Sequence, residues 1–111
     1  MKMNEGNLNP ARVINLASLV DYADGAIVSR VFVQRPSGTV TLFSFDRGQA
    51  LSEHTAPFDA LVFVLDGEAE ITIGAESFSV KAGETILMPA NVPHALRATD
   101  RFKMLLVMIK G

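Results

Sequence analysis

The chain has 111 residues, 49% of them hydrophobic and 20% charged, with a formal net charge of −2 and no cysteine. That balance describes one globular domain near the commonest domain size, and it excludes disulfides, thiolate metal sites and cysteine nucleophiles. It leaves no electrostatic footprint for nucleic acid or an anionic membrane, no apolar run approaches bilayer length, and the opening MKMNEGNLNP has no apolar signal core, so a cytoplasmic protein is expected.

Residues 1–24 are expected to form an N-terminal segment, strand or short helix, packed on a barrel formed by 25–111. Within 10–22, Val13, Leu16, Ala17 and Val20 recur at helical spacing, and Asn9-Pro10 suits a cap followed by a first helical proline. From Ile27 the pattern turns strand-like. Ile27–Val33 and Thr39–Phe45 flank the turn residues Gln34 to Gly38 and predict a hairpin. Ala60–Leu65 ends at Asp66-Gly67, a pair that tolerates positive φ and predicts a second hairpin with Glu68–Ile73. Within Glu68–Ile73, Ala69, Ile71 and Ile73 alternate with Glu68, Glu70 and Thr72, one face buried and one wet; Gly74-Ala75 predicts the next turn, and Phe78 and Val80 continue the alternation. Thr85–Met88, His94–Ala98 and Phe102–Ile109 complete the strands. Short strands punctuated every ten residues or so by Gly and Pro predict an all-β sandwich or barrel.

Two strands do not alternate. Leu61 to Leu65 and Met104 to Ile109 are apolar on both faces, so both faces need cover. A small barrel covers only the inner face by itself. The outer face then calls for a partner chain, which predicts a homodimer, or for the N-terminal segment laid over it.

The candidate chemistry centres on the two histidines, His54 and His94, each beside a strand near a turn. In GQALSEHTAPFDALVFVLDG, Gly48, His54 and Gly67 stand at the spacing of the first cupin motif, and in GETILMPANVPHALRA, Gly83, Pro89 and His94 stand at that of the second. The chain thus resembles the cupin family over residues 48–98. The second histidine place of the first motif is Ala56, and its glutamate place is Ala60. In the second motif, Asn91 replaces a glycine and Ala98 an asparagine. Asn91 is a mild departure, since Asn also tolerates the left-handed conformation.

The resemblance implies a double-stranded β-helix, or jelly-roll barrel, whose metal, when present, sits inside on three His and one Glu. Two of those four ligands remain here. Strand parity places Ala60, Val62 and Val64 on the face of His54, and Leu96 on that of His94. The expected ligand-binding pocket is His54, Ala56, Ala60, Val62, Met88, His94, Leu96 and Met104. Two imidazoles alone make an incomplete shell, because zinc normally has at least three protein ligands. Asp59, in the bend after Pro57, is the candidate third ligand with His54 and His94, for a divalent transition metal such as Zn, Fe, Mn or Ni.

Three functions follow from this reading. The first is a small-molecule-binding module with a depleted metal site. The second is a metal-dependent enzyme, dioxygenase- or isomerase-like by the resemblance. The third is an interaction domain whose apolar outer strands are its working surface. In the first, buried neutral imidazoles orient a polar ligand by donating and accepting hydrogen bonds.

Overall fold

The structure, a computed structural model, describes residues 2–5 and 10–110. Among the described residues eight strands follow in chain order: β1 Lys2–Glu5, β2 Ile27–Arg35, β3 Gly38–Phe45, β4 Ala50–His54, β5 Asp59–Ile73, β6 Glu76–Lys81, β7 Thr85–Met88 and β8 His94–Ile109. Among the described residues no helix is long and apolar enough to cross a membrane.

The strands hydrogen-bond in the order β1-β2-β3-β8-β5-β6, with β4 on β8 and β7 on β5. The long strands β5 and β8 pair antiparallel from Asp59↔Ile109 to Ile73↔His94, with register shifts at Val64/Asp66 and Gly67/Ala69. At those bulges both strands bend and change partners. The first half of β5 and the second half of β8 join β7, β3 and β2. The second half of β5 and the first half of β8 join β6 and β4. The two halves face each other and make the all-β jelly roll that the resemblance implies.

This corrects the hairpin expected at Asp66-Gly67. Gly67 does adopt positive φ, at +75°, but it serves a bulge inside one continuous strand. Ala98 to Phe102 likewise do not separate two strands; β8 runs through them. The expected hairpin between β2 and β3 does form, from Ile27↔Phe45 to Arg35↔Gly38.

The core is the inner face. Phe45, Val62, Val64, Ala69, Ile71, Leu96, Ala98, Phe102 and Met104 form one cluster, each no more than 3% exposed. Phe45 and Phe102 are cross-strand partners whose rings stack with centroids 4.3 Å apart. They fill the end of the barrel where β5 and β8 bend.

A second cluster lies outside. Val20, Phe32 and Leu42 are buried there, with Leu16, Leu19, Leu65 and Leu105 packed against them. The N-terminal segment therefore covers part of the outer face. Of the strand or short helix expected there, the helical part is short: Leu16–Leu19 coil as a 3₁₀ turn capped by Asn15 Oδ1, which accepts from the Ala17 N–H. Val20 is already extended. Four residues are too few for propensity to sustain a helix, and packing of Leu16, Leu19 and Val20 dictates the path instead. Asn9, the expected cap, lies outside the described residues.

Polar contacts fasten the same segment. Tyr22 Oη donates to Asp66 Oδ2 at 2.5 Å, and Lys103 Nζ and the Arg101 guanidinium flank its ring at 5.0 and 5.3 Å. Burial, then the Asp66 hydrogen bond, push the Tyr22 hydroxyl well above its usual pKa. Arg101 also bridges Asp46 and Asp24, each at 2.8 Å. The Gly25 N–H and Arg101 hold the Asp46 carboxyl down to about 2.

Candidate functional site

His54 and His94 face each other as direct cross-strand partners of β4 and β8. His54 is exposed, while His94 is only 4% exposed. Their rings meet edge to face, centroids 4.4 Å apart, with the two Nε2 atoms at 3.1 Å. Each Nδ1 lies against the backbone carbonyl two residues earlier: His54 on Ser52 O at 2.9 Å, His94 on Val92 O at 3.2 Å.

These contacts set a proton count. A carbonyl oxygen can only accept, so each Nδ1 must carry the proton and donate. Two neutral imidazoles have two ring N–H protons, and the carbonyls use both. Both Nε2 atoms then present lone pairs to each other, and the 3.1 Å gap between them lacks a proton. A third proton would satisfy it by making one ring an imidazolium. Burial, then the neighbouring His54, oppose that charge and lower the His94 pKa, although the Val92 carbonyl works the other way. With both rings neutral, the site offers two acceptors side by side.

The loops beside the pair are built to hold it. Residues 55–58 and 89–93 cross from one face of the barrel to the other, and the Asn91 N–H donates to Ala56 O at 2.8 Å between them. Asn91 takes φ of +63°, the left-handed conformation expected of it. The Ala90 N–H donates to Asp59 Oδ1 at 2.9 Å. Asp59 is therefore spent on the loop. Among the described residues no third His, Cys, Asp or Glu stands with the two histidines. The structure does not bring Asp59 to the pair, and the residues present fall short of the usual ligand count for a resident metal.

The other expected pocket residues divide. Ala60, Val62, Met88, Leu96 and Met104 point inward as parity requires, each 3% exposed or less. They pack in the barrel core and fill it. Ala56 is half-buried in the crossing loop. A cavity of about 300 Å³ lies elsewhere, between the N-terminal segment and β2, lined by Leu19, Tyr22, Ser29 and Arg30 among others. A groove of about 240 Å³ follows the ends of β2, β3 and β8 and touches Thr39 and Met108.

Two features of the site escaped the sequence. Strand β4 is short, and all its residues but Leu51 are exposed, so it carries no hydrophobic signal. The carbonyls that fix the ring protons come from backbone and have no residue signature.

Comparison with known proteins agrees with this fold. Residues 41–110 match the family described as Cupin domain. The chain is 45% identical, with a TM-score of 0.89, to the crystal structure of a conserved protein of unknown function from Streptococcus pyogenes, covering 95% of this chain and 92% of that one. Over 71 residues it is 34% identical to an uncharacterized protein of Streptomyces coelicolor, covering 64% of this chain and 66% of that protein. Over 72 residues it is 28% identical to the polyketide synthase CurC of Streptomyces cyaneus, covering 64% of this chain and 47% of that protein. The chain thus spans less than two thirds of the length of these curated relatives.

Proposed function

This chain belongs to the cupin family, and from that premise we propose that it is a small-molecule-binding module whose barrel mouth takes a hydrogen-bond donor against the His54–His94 pair. The observation that carries the reading is the missing proton between the two Nε2 atoms. A ligand hydroxyl, amide or amine lying alongside the two Nε2 atoms would donate to them, since the 3.1 Å gap itself has no room for a further heavy atom. Ala56 and Ala60 favour binding over metal chemistry, because they stand where the resemblance implies two further ligands.

The imidazole nitrogens test this directly. Long-range proton–nitrogen NMR near pH 7.5 should show both rings protonated on Nδ1 and bare on Nε2. A ring protonated on Nε2 would sink the reading. So would one tightly held transition-metal ion per chain, lost on His54→Ala, which would instead support a metal-dependent enzyme using these histidines and a ligand from outside the motifs.

We also propose that the protein works as a homodimer. Register places Leu87, Leu61, Val107, Val40 and Val33 in one row on the outer face, crossing β7, β5, β8, β3 and β2. Phe63, Leu87 and Ile109 remain 37%, 48% and 56% exposed. A second copy related by a two-fold axis would set this row against itself. Sedimentation at tens of micromolar should give a two-chain mass, and Leu87→Glu with Phe63→Glu should weaken association at least about tenfold. A single-chain mass for the unmodified protein would overturn the dimer.

A further inference from the structure

We propose that the cavity between the N-terminal segment and β2 is a second ligand site, on the outside of the barrel, and that it takes a small monocarboxylate with an apolar body, held at Arg30. This site is separate from the histidine pair and does not depend on the role given to that pair. Its volume of about 300 Å³ reaches the range of small-molecule sites. One wall is the chain from Leu19 to Ala23, and the other is the stretch of β2 that carries Val28 and Arg30.

Arg30 is the odd residue of that wall. It stands opposite Leu42, and Leu42 opposite Leu105. Directly opposed residues share a face. Leu42 is fully buried, and both leucines belong to the outer apolar cluster with Leu19, Val20 and Val28. A guanidinium thus shares a row with leucines. It is half-buried, and its Nη1 donates to Leu19 O at 3.3 Å. Among the described residues it forms no ion pair. Arginine has five N–H donors in a fixed fork and keeps its charge at any working pH. One bond to a neutral carbonyl leaves most of the fork, and all of the charge, to be met. The carboxylates around Tyr22 do not meet it: Asp66 accepts from Tyr22, and Asp24 and Asp46 hold Arg101. Among the described lining residues Asp21 alone carries a carboxylate, and that residue is exposed.

The cation sets the head group, and the walls set the body. A carboxylate matches the guanidinium fork with two parallel hydrogen bonds. Leu19, Val20 and Val28 give the cavity its apolar surface. Tyr22 adds its ring, since its hydroxyl is already taken by Asp66. Among the described lining residues Arg30 is the single cation, which favours one negative charge over the two of a phosphate. Lys103 does not line the cavity, and its Nζ donates to Ala17 O at 2.6 Å.

The chain has one tyrosine and no tryptophan, so its tyrosine emission comes from Tyr22 alone and reports on this cavity. The probes are cyclohexanecarboxylate, its neutral carboxamide and cyclohexylammonium, each titrated into the whole chain at pH 7.5. The carboxylate should change the emission saturably. The carboxamide should bind at least about tenfold more weakly, the loss of a charge-assisted contact, and the ammonium should not bind. Arg30→Gln should weaken the carboxylate at least about tenfold and leave the carboxamide within about twofold. Arg30→Lys keeps the charge without the fork, and its affinity should fall between the two. His54→Ala should bind the carboxylate as the unmodified protein does, which separates this site from the histidine pair. An unchanged emission with the carboxylate, or equal binding of the carboxamide or the ammonium, would overturn the proposal. So would undiminished carboxylate binding by Arg30→Gln. If Arg30→Gln alters the emission without ligand, its N-terminal segment has moved, and the three probes on the unmodified protein and on Arg30→Lys decide the matter.

Discussion

Replacing Gly67 with alanine is expected to destabilise the protein by at least about 3 kcal/mol. A Cβ built there would stand 1.7 Å from Arg101 O and 2.9 Å from the Phe102 Cα. Those atoms belong to β8, which pairs with Gly67 at Phe102 where both long strands bend. The obstacle is backbone, so no side chain can swing aside, and the φ of +75° adds left-handed strain for any residue with a Cβ. Gly48→Ala is the matched control. Gly48 has φ of +83°, and a Cβ there meets nothing within 4 Å. It should cost only the conformational strain, about 1–2 kcal/mol. Urea unfolding of the two variants separates the terms. Equal midpoints would mean that β8 does not approach Gly67 as closely as described.

The second large effect concerns the histidines, whose roles in stability and in binding should come apart. His94→Ala empties a buried position, leaves Val92 O without its donor, and should cost about 2–3 kcal/mol. His54 is exposed, and His54→Ala should cost under about 1 kcal/mol. Both variants should lose the proposed ligand, because each removes one of the two acceptors. A His54→Ala variant that still binds as tightly as the unmodified protein would refute the shared site.

His94 also makes stability depend on pH, with a definite sign. Its folded pKa is lowered, chiefly by burial. Above the unfolded value of about 6.5, both states hold a neutral ring and His94 contributes no slope. Below it the unfolded chain binds the proton first, so stability falls as pH falls, until the folded ring is protonated too. The slope cannot exceed about 1.4 kcal/mol per pH unit for one proton. Asp46 acts lower: its folded value of about 2 makes it a stabilising carboxylate above about pH 4 that is lost only as pH approaches 2. Unfolding measured from pH 7.5 to 5 should therefore show the His94 slope, and His94→Gln should flatten it. An unchanged slope in that variant would assign the effect to another group.

Much of this molecule was legible because β-strands advertise themselves by alternation. Ala69, Ile71 and Ile73 against Glu68, Glu70 and Thr72 gave a half-buried strand, and the inward set Ala60, Val62 and Val64 holds at 3% exposure or less. The spacings from Gly48 to His54 and from Gly83 to His94 identified the family, because they fix where each crossing loop begins and ends. The hairpin misread at Asp66-Gly67 has a physical reason. A glycine at positive φ serves a turn and a bulge equally well, and only pairing across the sheet distinguishes them. The strand or short helix weighed for the N-terminal segment is, within 10–22, only a 3₁₀ turn over Leu16–Leu19, for a related reason. Apolar residues at helical spacing also suit an irregular segment that drops Leu16, Leu19 and Val20 into an outer groove.

The sequence by itself determined the all-β class, the family, the two histidines and the alanines at the neighbouring ligand places. These are matters of residue type and spacing, which the chain carries locally. Only the tertiary structure decided what the histidines present to a ligand. Their ring protons are fixed by the carbonyls of Ser52 and Val92, their 3.1 Å separation by the pairing of β4 with β8, and the engagement of Asp59 by the Ala90 N–H. Backbone acceptors and cross-strand neighbours have no residue signature, so the chemistry of this site emerges only with the fold.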